Sequence, residues 1–99
     1  MIEVTRRAGD DPLTFDVVVR EDDEETRHRV TLAAAHFARL APGEAPERCI
    51  EAAFRFLLDR EPAQAILRRF DVEIIAKYFP EFEREMPGYL ADAGPIRAP

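Results

Sequence analysis

The sequence predicts an α+β fold, with a small N-terminal antiparallel sheet of two or three strands followed by three to five packed helices. Apolar and polar residues alternate from residue 13 to residue 32 on both sides of a short acidic run, which is typical of a half-buried β-hairpin. After Leu32 the apolar residues recur at the three- and four-residue spacing of amphipathic helices. The change of period at Leu32 places the sheet before the helices.

The strands follow from this alternation. Ile2 and Val4 alternate with polar residues and predict a short first strand, and residues 8–12 supply the turn that follows it. Within the hairpin we predict that Val17 lies opposite Val30, because a register one residue away would divide the apolar face. The same register pairs Phe15 with Leu32 and Val19 with His28, and it leaves the acidic residues 22–25 as an exposed four-residue connection.

The helices are predicted from apolar spacing and from proline and glycine positions. A first helix over residues 33–40 ends before Pro42 and Gly43, and a second begins at Pro46. The second has the most regular apolar stripe and is predicted to be the central helix of the core. Its apolar residues are Ile50, Ala53, Phe54, Leu57 and Leu58, with Cys49 and Phe56 beside them.

Shorter helices are expected in the remainder of the chain. One carries Ile66, Leu67 and Phe70, and another begins after Asp71, which can cap it, and ends at Pro80. A last turn or two contains Phe82, Met86 and Tyr89. We therefore expect one domain over residues 1–90 and a flexible tail over residues 91–99.

Composition favours a soluble, acidic protein. The chain has 99 residues, a net charge of −6 and 46% hydrophobic residues, which suffices for one globular core. Its apolar stretches are too short to span a membrane, and its single cysteine excludes an intramolecular disulfide. We expect a cytoplasmic protein that binds neither membranes nor nucleic acid.

Three features are candidates for catalytic or metal sites. The acidic run from Glu21 to Glu25 has no glycine to make its carboxylates converge, so we interpret it as a solvated turn. His28, His36 and Cys49 could form a nucleophilic site, but no nucleophile turn or oxyanion loop accompanies them. One cysteine and two histidines are also too few for a zinc site. We therefore assign no catalytic residue, no metal ligand and no cofactor.

Residues 63–79 resemble a helix–turn–helix unit in outline, with two short helices meeting at Phe70 and Asp71. Arg68, Arg69 and Lys77 would supply positive charge to a nucleic acid. However, Glu73 and the acidic residues that follow Pro80 oppose such binding, unless the fold separates the two charges. A nucleic-acid-binding regulator is therefore the first alternative function, and a small enzyme is the second.

Aromatic residues near the C-terminus support a different function. They are more numerous than short helices can bury, so some are expected to form an exposed patch. We predict a small noncatalytic interaction or regulatory module whose partner is another protein, with a homodimer as the other assembly. The candidate partner-binding patch consists of Phe70, Tyr78, Phe79, Phe82 and Tyr89.

Overall fold

The computed structural model describes residues 1–92 and confirms the α+β class. Four strands form one sheet, four α-helices pack against the sheet or against one another, and a 3-10 turn at Ala63–Ala65 precedes the last strand. The strands are β1 (Ile2–Arg6), β2 (Leu13–Glu21), β3 (Glu24–Leu32) and β4 (Arg69–Asp71). The helices are α1 (Ala34–Leu40), α2 (Pro46–Leu58), α3 (Glu73–Tyr78) and α4 (Phe82–Asp92).

The sheet has one strand more than the sequence predicted. Its order is β1-β2-β3-β4, with β1, β2 and β3 antiparallel and β4 parallel to β3. β4 occupies part of the segment predicted to be a helix with Ile66, Leu67 and Phe70. Three residues are too few to show an alternation, and Phe70 opposite Val30 is buried as well in a strand as in a helix.

The hairpin register differs by two residues from the prediction. Val17 lies opposite His28, and Phe15 lies opposite Val30. A shift of two keeps every side chain on its predicted face, so Val17 and Val30 are both fully buried as expected. The connection shortens to Asp22 and Asp23, and Asp22 takes the left-handed conformation with φ 55°, which aspartate tolerates better than most residues.

Helix α2 is the central helix of the core, as predicted. Its apolar side is buried on the sheet, with Ile50, Phe54 and Phe56 fully inaccessible to solvent. α4 runs antiparallel beside it, since Arg60 at the end of α2 reaches Glu85 and Arg48 near its start reaches the carbonyl of Leu90. Together the two helices close one face of the sheet.

The ends of the shorter helices follow the sequence signals. The Asp11 carboxylate accepts a hydrogen bond from the first amide of α1, and the Asp71 carboxylate accepts one from the amide of Glu73 at the start of α3. α4 is longer than the predicted one or two turns and extends two residues into the predicted tail. The remainder of that tail, residues 93–99, lies outside the described residues. None of the helices described in residues 1–92 is long and apolar enough to cross a membrane.

Candidate functional site

An apolar groove lies between the end of α2, helix α3 and residues 65–68, which are the segment that leads into β4. Its cavity volume is about 200 Å³. Its walls form because β4 turns Phe70 toward the core side of the sheet, opposite Val30, while α3 buries Ile75 and leaves Tyr78 at the surface. The groove is lined by Leu57, Glu61, Ala65, Ile66, Leu67, Phe70, Ile74, Ile75, Tyr78 and Phe79.

Two large apolar side chains at this groove remain in contact with solvent. Leu67 is 50% exposed and Tyr78 is 67% exposed. Within residues 1–92, Met1 is the other large apolar residue with comparable exposure. Since exposed large apolar residues that occur together often mark an interaction surface, the groove is the candidate functional site.

The five residues of the predicted aromatic patch do not lie together. Phe70, Tyr78 and Phe79 line the groove. Phe82 is fully buried, with its ring centroid 5.0 Å from that of Phe56. Tyr89 is half-buried, with its ring centroid 5.6 Å from that of Phe56, and its hydroxyl donates to Asp59.

The structure adds residues that the sequence reasoning missed. Leu67 was expected inside a core helix, but it lies at the groove mouth in the loop before β4. No signal in the sequence indicated this exposure, because Ile66, Leu67 and Phe70 follow helical spacing and Leu67 belongs to that apolar set. Ile74 completes the wall on the α3 side and is half-buried.

Charge around the groove is unevenly distributed. Arg68 and Arg69 follow Leu67 directly, and neither makes an ion pair with a residue of the described range 1–92. The nearest carboxylate in that strand, Asp71, already accepts from the Thr31 hydroxyl at 2.7 Å and from the Glu73 amide. Glu61 lies at the α2 end. The charged residue in the groove lining is therefore Glu61, whereas Arg69 projects from β4 to the opposite face of the sheet, across from Arg29.

His28 holds the segment that leads into β4 against the sheet. Its Nδ1 lies 2.8 Å from the carbonyl oxygen of Leu67, and its Nε2 lies 2.9 Å from the Thr26 hydroxyl. A neutral ring satisfies both contacts by donating from Nδ1 and accepting at Nε2. Burial lowers the pKa of His28 below its ordinary value, partly offset by the Leu67 carbonyl and reinforced by the charge of Arg68. His28 therefore has a structural role in positioning Leu67.

The residues considered for nucleophilic chemistry are placed differently. Cys49 is fully buried in α2, and burial raises the pKa of its thiol to about 12, which disfavours the reactive thiolate. His36 is buried in α1, with Nε2 3.3 Å from the Glu83 carboxylate. The acidic connection is exposed from Glu21 to Glu25. Within residues 1–92 no three His, Cys, Asp or Glu side chains are placed to hold a metal ion.

The helix–turn–helix interpretation of residues 63–79 was wrong at the level of structure. The first of its two helices is replaced by a 3-10 turn and strand β4, so only α3 is helical. The backbone of this segment is instead bound to the sheet, since Arg68 O accepts from Arg29 N and Thr31 O accepts from Val72 N. Hydrogen bonding to strand β3 therefore determines the conformation of these residues, although their apolar spacing favours a helix.

Comparison with known proteins gives no relative for this chain, since no family model, curated protein or solved structure matches it.

Proposed function

We propose that this protein is a noncatalytic interaction module that binds a short acidic segment of another protein in the apolar groove. The observation that carries this proposal is the exposure of Leu67 and Tyr78 at the groove mouth. A partner side chain that covers them removes apolar surface from water. Complete burial of one such side chain is worth about 1.5–3 kcal/mol.

The size of the groove favours a side chain over a small molecule as its occupant. Pockets that enclose drug-sized ligands usually measure about 300–1,000 Å³, whereas this groove encloses about 200 Å³. Such a volume suits one or two apolar anchors from a peptide. Phe70 belongs to β4, which is an edge strand of the sheet, and Leu67 lies two residues before this strand. The partner backbone can therefore lie alongside β4.

The charges favour an acidic segment from a different protein over a second copy of this chain. A partner strand paired with β4 would direct alternate side chains to the groove and to the opposite face of the sheet, where Arg69 has no ionic partner within residues 1–92. A carboxylate next to the apolar anchor in sequence would therefore complement Arg69. In a symmetric dimer formed through this surface, a second copy would insert its own exposed Leu67 or Tyr78. Each of these is adjacent in sequence to a cation, Arg68 or Lys77, so like charges would meet.

Peptide display tests this proposal and does not require that the partner be identified first. The probe is a library of random twelve-residue peptides, selected on the wild-type protein and, in parallel, on a variant with Leu67→Ser and Tyr78→Ser. Both positions are exposed, so the variant should fold. We expect enriched peptides to contain a large apolar residue flanked by Asp or Glu, and to bind the double variant at least about tenfold more weakly, the ratio that 1.4 kcal/mol produces.

Arg84→Ser is the matched control, because Arg84 is exposed on α4 away from the groove and should leave binding unchanged. Enriched peptides that bind the wild type and the double variant equally would refute the groove as the binding site. Light scattering on the same samples addresses the homodimer. If the wild type has a dimeric mass and the variant with Leu67→Ser and Tyr78→Ser is a monomer, the occupant of the groove is a second copy of this chain and the proposal of an acidic segment is refuted.

A further inference from the structure

A second surface lies on the opposite face of the sheet, which no described helix covers. Because side chains alternate along a strand, residues whose neighbours are buried in the core point to this open face. Val18 and Asp16 of β2 lie there, as do Arg27 and Arg29 of β3 and Arg69 of β4. No aromatic side chain of strands β1 to β4 faces this side.

Four arginines surround one depression on the open face. These four arginines line a space of about 360 Å³ together with Asp16, Val17, Val18 and His28; the four are Arg27, Arg29, Arg68 and Arg69. They come from two parts of the chain about 40 residues apart, which the parallel pairing of β3 with β4 brings together. The fold thus produces the separation of charge that the sequence alone does not reveal.

The cluster is only partly neutralised by the protein. Asp16 accepts from Arg7 at 2.8 Å and from Arg29 at 3.0 Å, and these contacts lower the pKa of its carboxyl group. Arg27 pairs with Glu25 at 2.7 Å. Arg29 lies directly opposite Arg69 across the strand pair, and like charges in that position are destabilising. Within residues 1–92 no carboxylate pairs with Arg69.

We propose that this arginine cluster is a binding site for a phosphate group. A phosphate dianion offers several oxygens and two charges, so it can accept from more than one guanidinium fork at once. A single carboxylate offers two oxygens and one charge. The proposal does not depend on the function of the groove, whose lining includes none of the four arginines.

A phosphate group held by a small molecule or by a phosphorylated protein fits better than a nucleic-acid strand. Proteins that hold single strands use aromatic stacking platforms together with a long positive track. Strands β1 to β4 place no aromatic side chain on the open face, and their other positions there include Glu3 opposite Val18. A compact phosphate therefore matches the extent of the cluster.

The test uses pyrophosphate as the probe, added at constant ionic strength and followed by calorimetry and by thermal unfolding. We expect saturable binding with a dissociation constant of about 0.1–1 mM and a rise in melting temperature. Val18→Asp places a carboxylate inside the depression and should abolish binding. Val18→Asn is its neutral matched control and should retain it.

Arginine variants provide an independent test that does not depend on strand packing. Arg69→Gln at an exposed position should weaken pyrophosphate binding at least about tenfold, since a hydrogen bond to a charged group contributes at least that ratio. Without ligand it should leave the melting temperature unchanged or raised, because it removes the like-charge contact with Arg29. Arg84→Gln should change neither quantity.

Further samples identify the source of the phosphate and the outcomes that overturn the proposal. A phosphoserine peptide is compared with its serine and glutamate forms. If the phosphoserine peptide binds more tightly than pyrophosphate, the site is assigned to phosphorylated proteins. If it binds more weakly, the site is assigned to free phosphate compounds. The groove variant Leu67→Ser with Tyr78→Ser should still bind pyrophosphate. Absence of saturable binding, equal binding by Val18→Asp and Val18→Asn, or binding of duplex DNA or RNA alone would overturn the proposal.

Discussion

Replacing Arg60 should destabilise the domain more than replacing any arginine that merely forms a surface pair. Its guanidinium carbon lies 3.7 Å from the centroid of the Phe56 ring. The same group donates to Glu81 at 3.0 Å and to Glu85 at 2.9 Å, and it also reaches the Phe56 carbonyl near the end of α2. These contacts join α2 to α4 where the two helices meet.

The magnitude follows from the individual contacts. A partly buried cation over an aromatic ring contributes about 0.5–2 kcal/mol. Two ion pairs close to solvent add about 0.2–1 kcal/mol each, and a cation at a helix C-terminus adds about 0.3–1 kcal/mol. Because methionine keeps part of the apolar stem on Phe56, Arg60→Met should lower the free energy of unfolding by about 1.5–3 kcal/mol.

Urea titration followed by circular dichroism measures this loss, and thermal unfolding gives a second reading. A loss of that size lowers the melting temperature of a domain of this length by about 6–24 °C. The matched control is Arg55→Met, since Arg55 is exposed on α2 and makes one ion pair with Glu51 at 3.0 Å, worth about 0.3–0.5 kcal/mol. Equal losses in the two variants would refute the reasoning, because they would show that the contacts of Arg60 add nothing to an ordinary surface pair.

Three further perturbations test the core and its titration. Val17→Asp should unfold the domain, because a buried unpaired carboxylate costs several kcal/mol, whereas the variant with Val18→Asp on the open face should fold. Circular dichroism shows which variant is folded, and folding of both would contradict the assignment of faces. In urea titrations, Leu57→Ala should lower the free energy of unfolding by about 2–5 kcal/mol and Leu67→Ala by less than about 1 kcal/mol, because Leu57 is buried and Leu67 is exposed. Equal losses would contradict this difference in burial. Burial lowers the pKa of His28 from its ordinary value of 6.5, so the unfolded chain binds the proton more readily. The stability that neutral His28 contributes should be present above about pH 6.5 and fall as the pH drops toward the pKa of His28 in the folded protein. His28→Gln should reduce this pH dependence of stability, and an unchanged pH dependence would contradict the role of His28 in it.

The sequence predicted the faces of the hairpin but not its register. A two-residue shift leaves the apolar faces identical, so the apolar pattern could not distinguish the observed pairing from the predicted one. Charge could have done so. In the observed register Asp16 lies opposite Arg29 and Arg20 lies opposite Glu25, whereas the predicted register set Arg20 opposite Arg27. Cross-strand ion pairs are small in energy, but here they distinguish two registers of equal burial.

Helices with a long apolar stripe were predictable, and the short strand was not. α2 was predicted at its observed start because thirteen residues repeat the helical spacing and Pro46 marks the first turn. β4 has three residues, and its pairing with β3 depends on hydrogen bonds to a strand about 40 residues away. The candidate groove depends on β4, so its position could not follow from local pattern. Of the predicted aromatic set, Phe70, Tyr78 and Phe79 reached it, since these three belong to β4 and the end of α3.

The segment that leads into β4 connects the groove and the arginine cluster. The Leu67 carbonyl is held by His28, and the Arg68 carbonyl by the amide of Arg29, so the backbone between the two surfaces is bound to strand β3. Leu67 and Arg68 are adjacent in the chain, yet the former lines the groove and the latter lines the open face. A short segment fixed in this way can expose an apolar side chain and two cations without becoming mobile. Because both surfaces share this support, loosening it should weaken peptide binding and phosphate binding together, whereas Val18→Asp should affect the phosphate alone.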